Sequence, residues 1–252
     1  MSSLRHPAAT QTKNTAKKIT TGLAAAATAL LLMSGCSSDG GKAAVASAPS
    51  PASSASPSSA DAAVSTPAAA SGGAAACTYT PAGPTAKSNN PPPATAATSG
   101  SPVATMTIGQ GTIALTLKPA TAPCTVNSFT SLASQKYFDG TKCHRLTASP
   151  SLSVLQCGDP TATGTGGPGY EFADELAGTE TYPRGTLAMA NAEPGTNGSQ
   201  FFLVYADSTL PPSYTVFGTI TSGLEILDGI AAKGISGIAP TDPVDIASIV
   251  VQ

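Results

Sequence analysis

Residues 101–252 predict a mainly β fold, an antiparallel sheet or barrel with two packed helices, on three observations. Runs that alternate threonine with apolar residues dominate this stretch, only two segments show helical spacing, and no strand–helix–strand rhythm of a parallel sheet occurs. Val103-Ala104-Thr105-Met106-Thr107-Ile108 and Thr112-Ile113-Ala114-Leu115-Thr116-Leu117 read as strands joined by Gly109-Gln110-Gly111. Their alternation suits a sheet with one buried face. Thr121-Ala122-Pro123 supplies an N-cap and an early proline. Val126, Phe129, Leu132 and Ala133 then recur on one helical face through to Tyr137. Cys143-His144-Arg145-Leu146 reads as another strand, and a strand beginning at Thr215 ends with Gly218-Thr219-Ile220. Leu224, Leu227, Ile230 and Ala231 mark a second amphipathic helix that stops near Gly234, and Asp245 to Val251 reads as a final strand.

The first hundred residues have a different texture. Arg5, Lys13, Lys17 and Lys18 make a basic start with no acid before Asp39, and an uncharged, mostly apolar stretch runs from Ile19 to Met33. That stretch is too short for a hydrocarbon core of about 30 Å and fits the apolar region of a signal peptide over residues 1–35. Met33-Ser34-Gly35-Cys36 resembles the lipobox of bacterial lipoproteins, with Met33 where leucine is usual, which implies lipidation of Cys36. Ordinary cleavage with Cys36 incidental is the alternative. From Ser37 to Gly100 the chain is Ala, Ser, Pro, Thr and Gly, with Asp39, Lys42, Asp61 and Lys87 as its charges and Tyr79 as its aromatic residue. Such a segment buries too little apolar surface to offset its ordering entropy, so residues 36–100 are expected to be a lipidated N-terminus and disordered tether. A flexible coil of about 64 residues averages roughly 45 Å end to end.

Five cysteines are present, and with Cys36 assigned to lipid an even set of four remains, which in an exported chain favours disulfides. Four cysteines allow three pairings. Cys143 and Cys157 flank a short stretch that reads as two antiparallel strands and are the natural pair, which leaves Cys77 for Cys124 and pins the end of the tether. No CxxC spacing supports a zinc site.

The chemistry the residues permit is narrow. His144 is the one histidine after the signal region and there is no tryptophan, so histidine metal clusters and HExxH chemistry are excluded. No GxSxG elbow supplies a nucleophile. Gly164-Thr165-Gly166-Gly167 and Gly195-Thr196-Asn197-Gly198 lack the Lys-Ser/Thr of a phosphate loop and read as turns. A net charge of −2 gives no reason to expect nucleic acid. Rotation about an X-Pro bond needs none of this equipment. It breaks no bond, and a socket for the ring plus a donor for the twisting amide lowers its barrier of about 18–20 kcal/mol. A guanidinium can be that donor without titrating.

Five motifs then stand in order: His144-Arg145, Gln156-Cys157-Gly158-Asp159, Gly164-Thr165-Gly166-Gly167, MANAEPGTNGSQFF from Met189 to Phe202, and Val216-Phe217-Gly218. Together they resemble the signature of cyclophilins across roughly residues 101–252. The resemblance implies an eight-stranded antiparallel barrel closed by two helices and peptidyl-prolyl cis–trans isomerase activity without a cofactor. It implies that Arg145 is the catalytic arginine, that Gln156 lies beside it on the neighbouring strand, and that Phe202 is the floor of the proline pocket. Leu210 matches a wall, Ala190 and Asn191 the edge that holds the substrate backbone, and Gly164 the rim of a neighbouring pocket. Three departures stand out. The loop from Thr147 to Ser153 is longer than usual. The usual Phe-Met pair is Ser153-Val154, which makes that wall smaller unless Leu152 substitutes through a register shift. Tyr214 stands for a pocket histidine, and Thr209 stands for the family tryptophan, which implies weak cyclosporin binding.

The expected function is isomerisation of proline-containing exported polypeptides by a monomer, held through its lipid on the extracytoplasmic face of the cell membrane. The alternatives are a chaperone or adhesin that grips proline segments with little turnover, and a wall lipoprotein with a decayed site.

Overall fold

The structure, a computed structural model, describes residues 73–252. The expected signal peptide, the lipidation site Cys36 and the tether up to residue 72 lie outside the described residues. Three short strands come first: β1 (Ala74–Ala76), β2 (Thr80–Pro81) and β3 (Thr95–Ala97). The two alternating runs form β4 (Val103–Ile108) and β5 (Gly111–Leu117), followed by α1 (Pro123–Ser134). Next come β6 (Thr141–Lys142), β7 (Arg145–Leu146), β8 (Val154–Cys157) and β9 (Tyr170–Glu171). Then β10 (Thr186–Met189), β11 (Phe201–Val204) and β12 (Val216–Ser222) lead to α2 (Leu224–Ala232). A hairpin, β13 (Ile235–Ser236) and β14 (Ala239–Pro240), and β15 (Asp245–Val251) complete the chain.

Among the described residues, nine strands form one antiparallel sheet in the order β6-β15-β4-β5-β12-β10-β11-β8-β7. Its two edge strands, β6 and β7, are separated in the chain only by Cys143 and His144, so the sheet must curl strongly to bring its edges together. Backbone bonds cross this seam. Cys143 N–H donates to Val244 O at 2.9 Å and His144 N–H to Gln156 O at 3.1 Å. The expected Cys143–Cys157 disulfide ties the same place. Taken as one stretch that changes partner at Cys143-His144, β6 and β7 reduce nine strands to the eight expected.

Alternation fills the interior. Ala104, Met106 and Ile108 of β4 and Ile113, Leu115 and Leu117 of β5 are buried, and the residues between them are more exposed. α1 adds Val126, Phe129, Leu132 and Ala133. The Phe129 ring meets Phe138, Phe201 and Phe217 at centroid distances of 5.3, 5.4 and 5.3 Å. Thr121 does not cap this helix, because its Oγ1 donates to Lys118 O and Ala122 takes the cap position. The N–H groups of Cys124 and Thr125 donate instead to the Glu175 carboxylate at 2.9 and 2.8 Å. A carboxylate from a distant loop thus satisfies orphan donors at the positive end of the helix. The helix stops at Ser134 rather than Tyr137, since Lys136 takes φ +57°.

Residues 73–100, expected to belong to the tether, instead pack on the barrel. The segment lacks a core of its own, but the barrel supplies one. The expected Cys77–Cys124 disulfide anchors it. The Tyr79 ring lies edge-on to Tyr170 and Phe172 at 5.4 and 5.5 Å, and its hydroxyl donates to Cys124 O at 2.8 Å. Burial pushes the Tyr79 phenol up to about 12. Lys87 Nζ donates to the carbonyls of Lys136 and Asp139, both at 2.7 Å. β1 pairs with β3 and β2 with β9. We call residues 78–93 the strap.

Candidate active site

β11, Phe-Phe-Leu-Val, is buried at every position. Phe201 and Leu203 face the barrel interior, and Phe202 and Val204 join a second cluster on the outer face with Val154, Tyr182 and Ala188. A contiguous apolar strand results because both of its faces are covered. Register then sets the site. Arg145 pairs with Gln156, Gln156 with Phe202, and Phe202 with Ala188. Residues directly opposite in an antiparallel pair share a face, so the guanidinium, the amide and the aromatic ring stand in one row across the outside of the barrel.

This row opens into a cavity of about 320 Å³. Its lining includes every pocket residue singled out in the sequence: Arg145, Gln156 and Phe202, with Val154, Gly164, Ala190, Asn191, Leu210 and Tyr214. It adds His144, Leu152 and Ile238. Thr209 is not in the lining, and its N–H donates to Ser151 O at 3.0 Å.

Arg145 is held by a relay. Its Nη1 donates to Gln156 Oε1 at 3.1 Å, and Gln156 Nε2 donates to Gln200 Oε1 at 2.9 Å. Gln200 Nε2 then donates to the carbonyls of Gly164 and Gly166, both at 3.0 Å. The loop carrying those carbonyls wraps the fully buried Asp159 carboxylate, which accepts from the N–H groups of Thr161, Thr163, Gly164 and Gly166 at 2.7, 3.1, 2.7 and 3.0 Å. Burial alone would raise the Asp159 pKa, but these bonds and the Thr161 hydroxyl outweigh it and hold the carboxyl below its usual range. Gly166 admits no side chain, since a Cβ there would lie 2.0 Å from Asp159 Oδ1.

The apolar half of the cavity is aromatic. Phe202 and Tyr214 meet edge-on at 5.6 Å, and Tyr182 packs beside both. The Tyr182 hydroxyl donates to Tyr214 O and accepts from Tyr214 N–H, each at 3.0 Å. Asn191 Nδ2 donates to Asp174 Oδ1 and Ser213 O at 3.0 Å, which fixes that rim. The result is an apolar socket with one permanent cation at its edge and a fixed polar border. It suits a small apolar ring next to an amide.

The profile of the family described as cyclophilin type peptidyl-prolyl cis-trans isomerase/CLD matches residues 103–251. The chain belongs to this family. It is 60% identical over 146 residues to "Probable peptidyl-prolyl cis-trans isomerase B" of Mycobacterium leprae, covering 53% of this chain and 50% of that protein. It is 39% identical over 173 residues to "Peptidyl-prolyl cis-trans isomerase B" of Streptomyces anulatus, covering 59% of this chain and 95% of that protein. The chain thus spans about half the length of the mycobacterial relative. A crystal structure of a Cryptosporidium parvum cyclophilin type isomerase, obtained in the presence of the dipeptide Ala-Pro, superposes with TM-score 0.53 at 30% identity, covering 60% of this chain and 98% of that one.

Within this cyclophilin site the long loop is ordered by its own bonds. Ser149 and Leu152 exchange backbone hydrogen bonds at 3.0 Å, and the Tyr205 hydroxyl reaches Thr147 O. Leu152, Val154 and Gln156 fall on alternate positions of one extended stretch and all line the cavity. Leu152 therefore fills the wall beside the small Val154 without a register shift. His144 is buried with neither ring nitrogen hydrogen-bonded, next to Gly164. Burial lowers its pKa below the ordinary histidine value, against the pull of Asp159 and with a smaller push from Arg145. Gln200 was legible as the residue two before Phe202 on the same strand face, yet sequence reasoning passed over it. Nothing in the sequence marks Ile238, which only the docking of the β13–β14 hairpin brings to the rim.

Proposed function

We propose that this chain catalyses cis–trans isomerisation of X-Pro bonds, with the prolyl ring seated on Phe202 and the amide twisted by Arg145. The row Arg145–Gln156–Phe202 in one cavity carries this reading. Twisting the amide localises electrons on its nitrogen. A guanidinium donor aimed there stabilises that state more than the planar one, and differential stabilisation is what lowers the barrier. Gln156 holds the guanidinium at the cavity edge, so less ordering remains to be done at the moment of reaction. No proton moves and no bond breaks, so the rate is expected to be flat across neutral pH.

A line-shape or protease-coupled assay on an Ala-Pro peptide tests this. Arg145→Ala is expected to lose about a hundredfold in kcat/KM, or roughly 2.7 kcal/mol of transition-state stabilisation. A parent rate no better than background, or a variant as fast as the parent, would sink the proposal. Peptide binding without exchange would favour the chaperone reading.

The substrates we propose are exported polypeptides, met outside the membrane to which lipid on Cys36 anchors the protein. The signal-like start and the two disulfides of the described domain support an oxidising compartment. Labelled palmitate should enter the parent protein and not Cys36→Ser; equal labelling would refute the anchor.

A further inference from the structure

Arg145 stands on a short support. β7 has two residues, lies at the sheet edge and pairs in the sheet only with β8. Three further backbone bonds hold its surroundings: His144 N–H to Gln156 O at 3.1 Å, Leu146 N–H to Ile238 O at 2.8 Å and Thr147 N–H to Val154 O at 3.0 Å. The chain then leaves for the long loop before it returns as β8. Edge pairings with so few bonds are the first to open locally.

A covalent anchor sits beside this edge. Cys143 lies two residues before Arg145, and Cys157 follows Gln156 directly and precedes Asp159 by two. Both cysteine side chains are buried in the barrel, whereas Arg145 and Gln156 face the cavity. Along the outer side, hydrogen bonds run from Arg145 through Gln156 and Gln200 to the loop around Asp159. The disulfide joins the same two stretches, 143–145 and 156–159, from the inner side and closes that relay into a ring. Its far end is fixed. Gly158 has φ +93°, a Cβ there would strike Ser199 O, and Ser199 Oγ donates to Gly158 O at 2.7 Å. The bond therefore carries the firmness of the Cys157 end across to the strand of Arg145.

Cys77–Cys124 supplies the contrast. It pins the strap region to α1, and no residue within two of either cysteine lines the cavity.

We propose that Cys143 and Cys157 are positioning residues for Arg145, so that the chain reaches full isomerase activity only once their disulfide has closed. An oxidant that carries its own disulfide accepts two electrons and two protons from the two thiols and leaves as a dithiol, and one S–S bond replaces two S–H bonds. Before closure the thiols still fill their places in the core as small apolar groups. The barrel then keeps its fold while the guanidinium spends less time at the amide. The inference rests on the reading of Arg145 as the twisting group.

Kinetics of the full chain on a short proline peptide test it. Cys143→Ala with Cys157→Ala is expected to lower kcat about five- to tenfold with KM within about twofold, the split of a positioning role. Cys77→Ala with Cys124→Ala should stay within about twofold of the parent in both. A parent-like kcat in the first double variant, or equal losses in the two, would overturn the inference. The parent itself gives a second arm that needs no variant to fold. Equilibrated against graded ratios of reduced and oxidised dithiothreitol, it should lose kcat as Cys143 and Cys157 become open to alkylation, and keep the near-ultraviolet dichroism of its tyrosines. A reduced pair with undiminished kcat overturns the inference. So does loss of the dichroism together with activity, which would make the bond a brace for the whole fold. The Arg145 Nε–H resonance, assigned with Arg145→Ala, should broaden or shift on reduction. That signal decides the positioning role even with an inactive parent, an outcome that would count against the proposed function alone.

Discussion

Along β8 and β11, adjacent residues serve opposite sides of one sheet. Leu155, Cys157, Phe201 and Leu203 fill the barrel, while Val154, Gln156, Phe202 and Val204 lie on the outer face. Phe201 and Phe202 are both buried, at 0% and 5% exposure. They are buried for different reasons. Phe201 is packed by Phe129 and Phe138 with centroids at 5.4 and 5.6 Å, whereas Phe202 borders a cavity. Burial by itself therefore does not separate core from site. An incompletely filled second face does, because a ligand can complete it.

The widest break of this comparison is the pair Phe201→Ala and Phe202→Ala. The inner change is expected to cost about 3–5 kcal/mol and lower Tm by roughly 6–20 °C. The outer change should cost far less stability but weaken proline-peptide binding at least about tenfold, through the lost floor of the socket. Thermal melts and peptide titrations on both variants check this, and equal melting shifts would refute the division of faces.

A smaller effect is expected at Asp159, buried like the core but polar. Asp159→Asn leaves some of its N–H donors poorly paired, at a cost of about 1–3 kcal/mol. Because the folded pKa lies below the unfolded value, the charge contributes stability that is present above the unfolded pKa and lost as pH falls through the folded one. Melts between neutral pH and about pH 3 should therefore show a shallower acid limb in the variant than in the parent. An unchanged limb would place the acid sensitivity elsewhere.

The smallest of these effects sharpens the outer face itself. Gln200 touches no proposed reacting atom and acts through Gln156 on Arg145. Gln200→Ala is expected to lower kcat about three- to tenfold with KM within about twofold, the pattern of a positioning residue. A rise in KM with kcat intact would instead put Gln200 in ground-state binding.

Much of this was readable in advance. β4, β5 and β15 follow from alternation, and the helical faces of α1 and α2 from their spacing, because these periods are local and repeat along the chain. The docking of the strap is hidden from composition for a matching reason. Composition reports whether a segment can form its own core, and Tyr79 and Cys77 instead use a core that the barrel already has. The capping of α1 by Glu175 was equally hidden, since a residue outside the helix pattern supplies it.

By itself, then, the sequence determined the fold class, the family and most of the residues that meet at the outer-face cavity. Motif order and side-chain period survive in one dimension. Tertiary structure alone decided the relay from Asp159 through Gln200 to Arg145, the closure of the wall by Leu152, the arrival of Ile238 at the rim and the docking of the strap on the barrel. Each of these depends on contacts between segments that their own local pattern does not predict. Register and closure are relations between distant segments, and local pattern does not encode them.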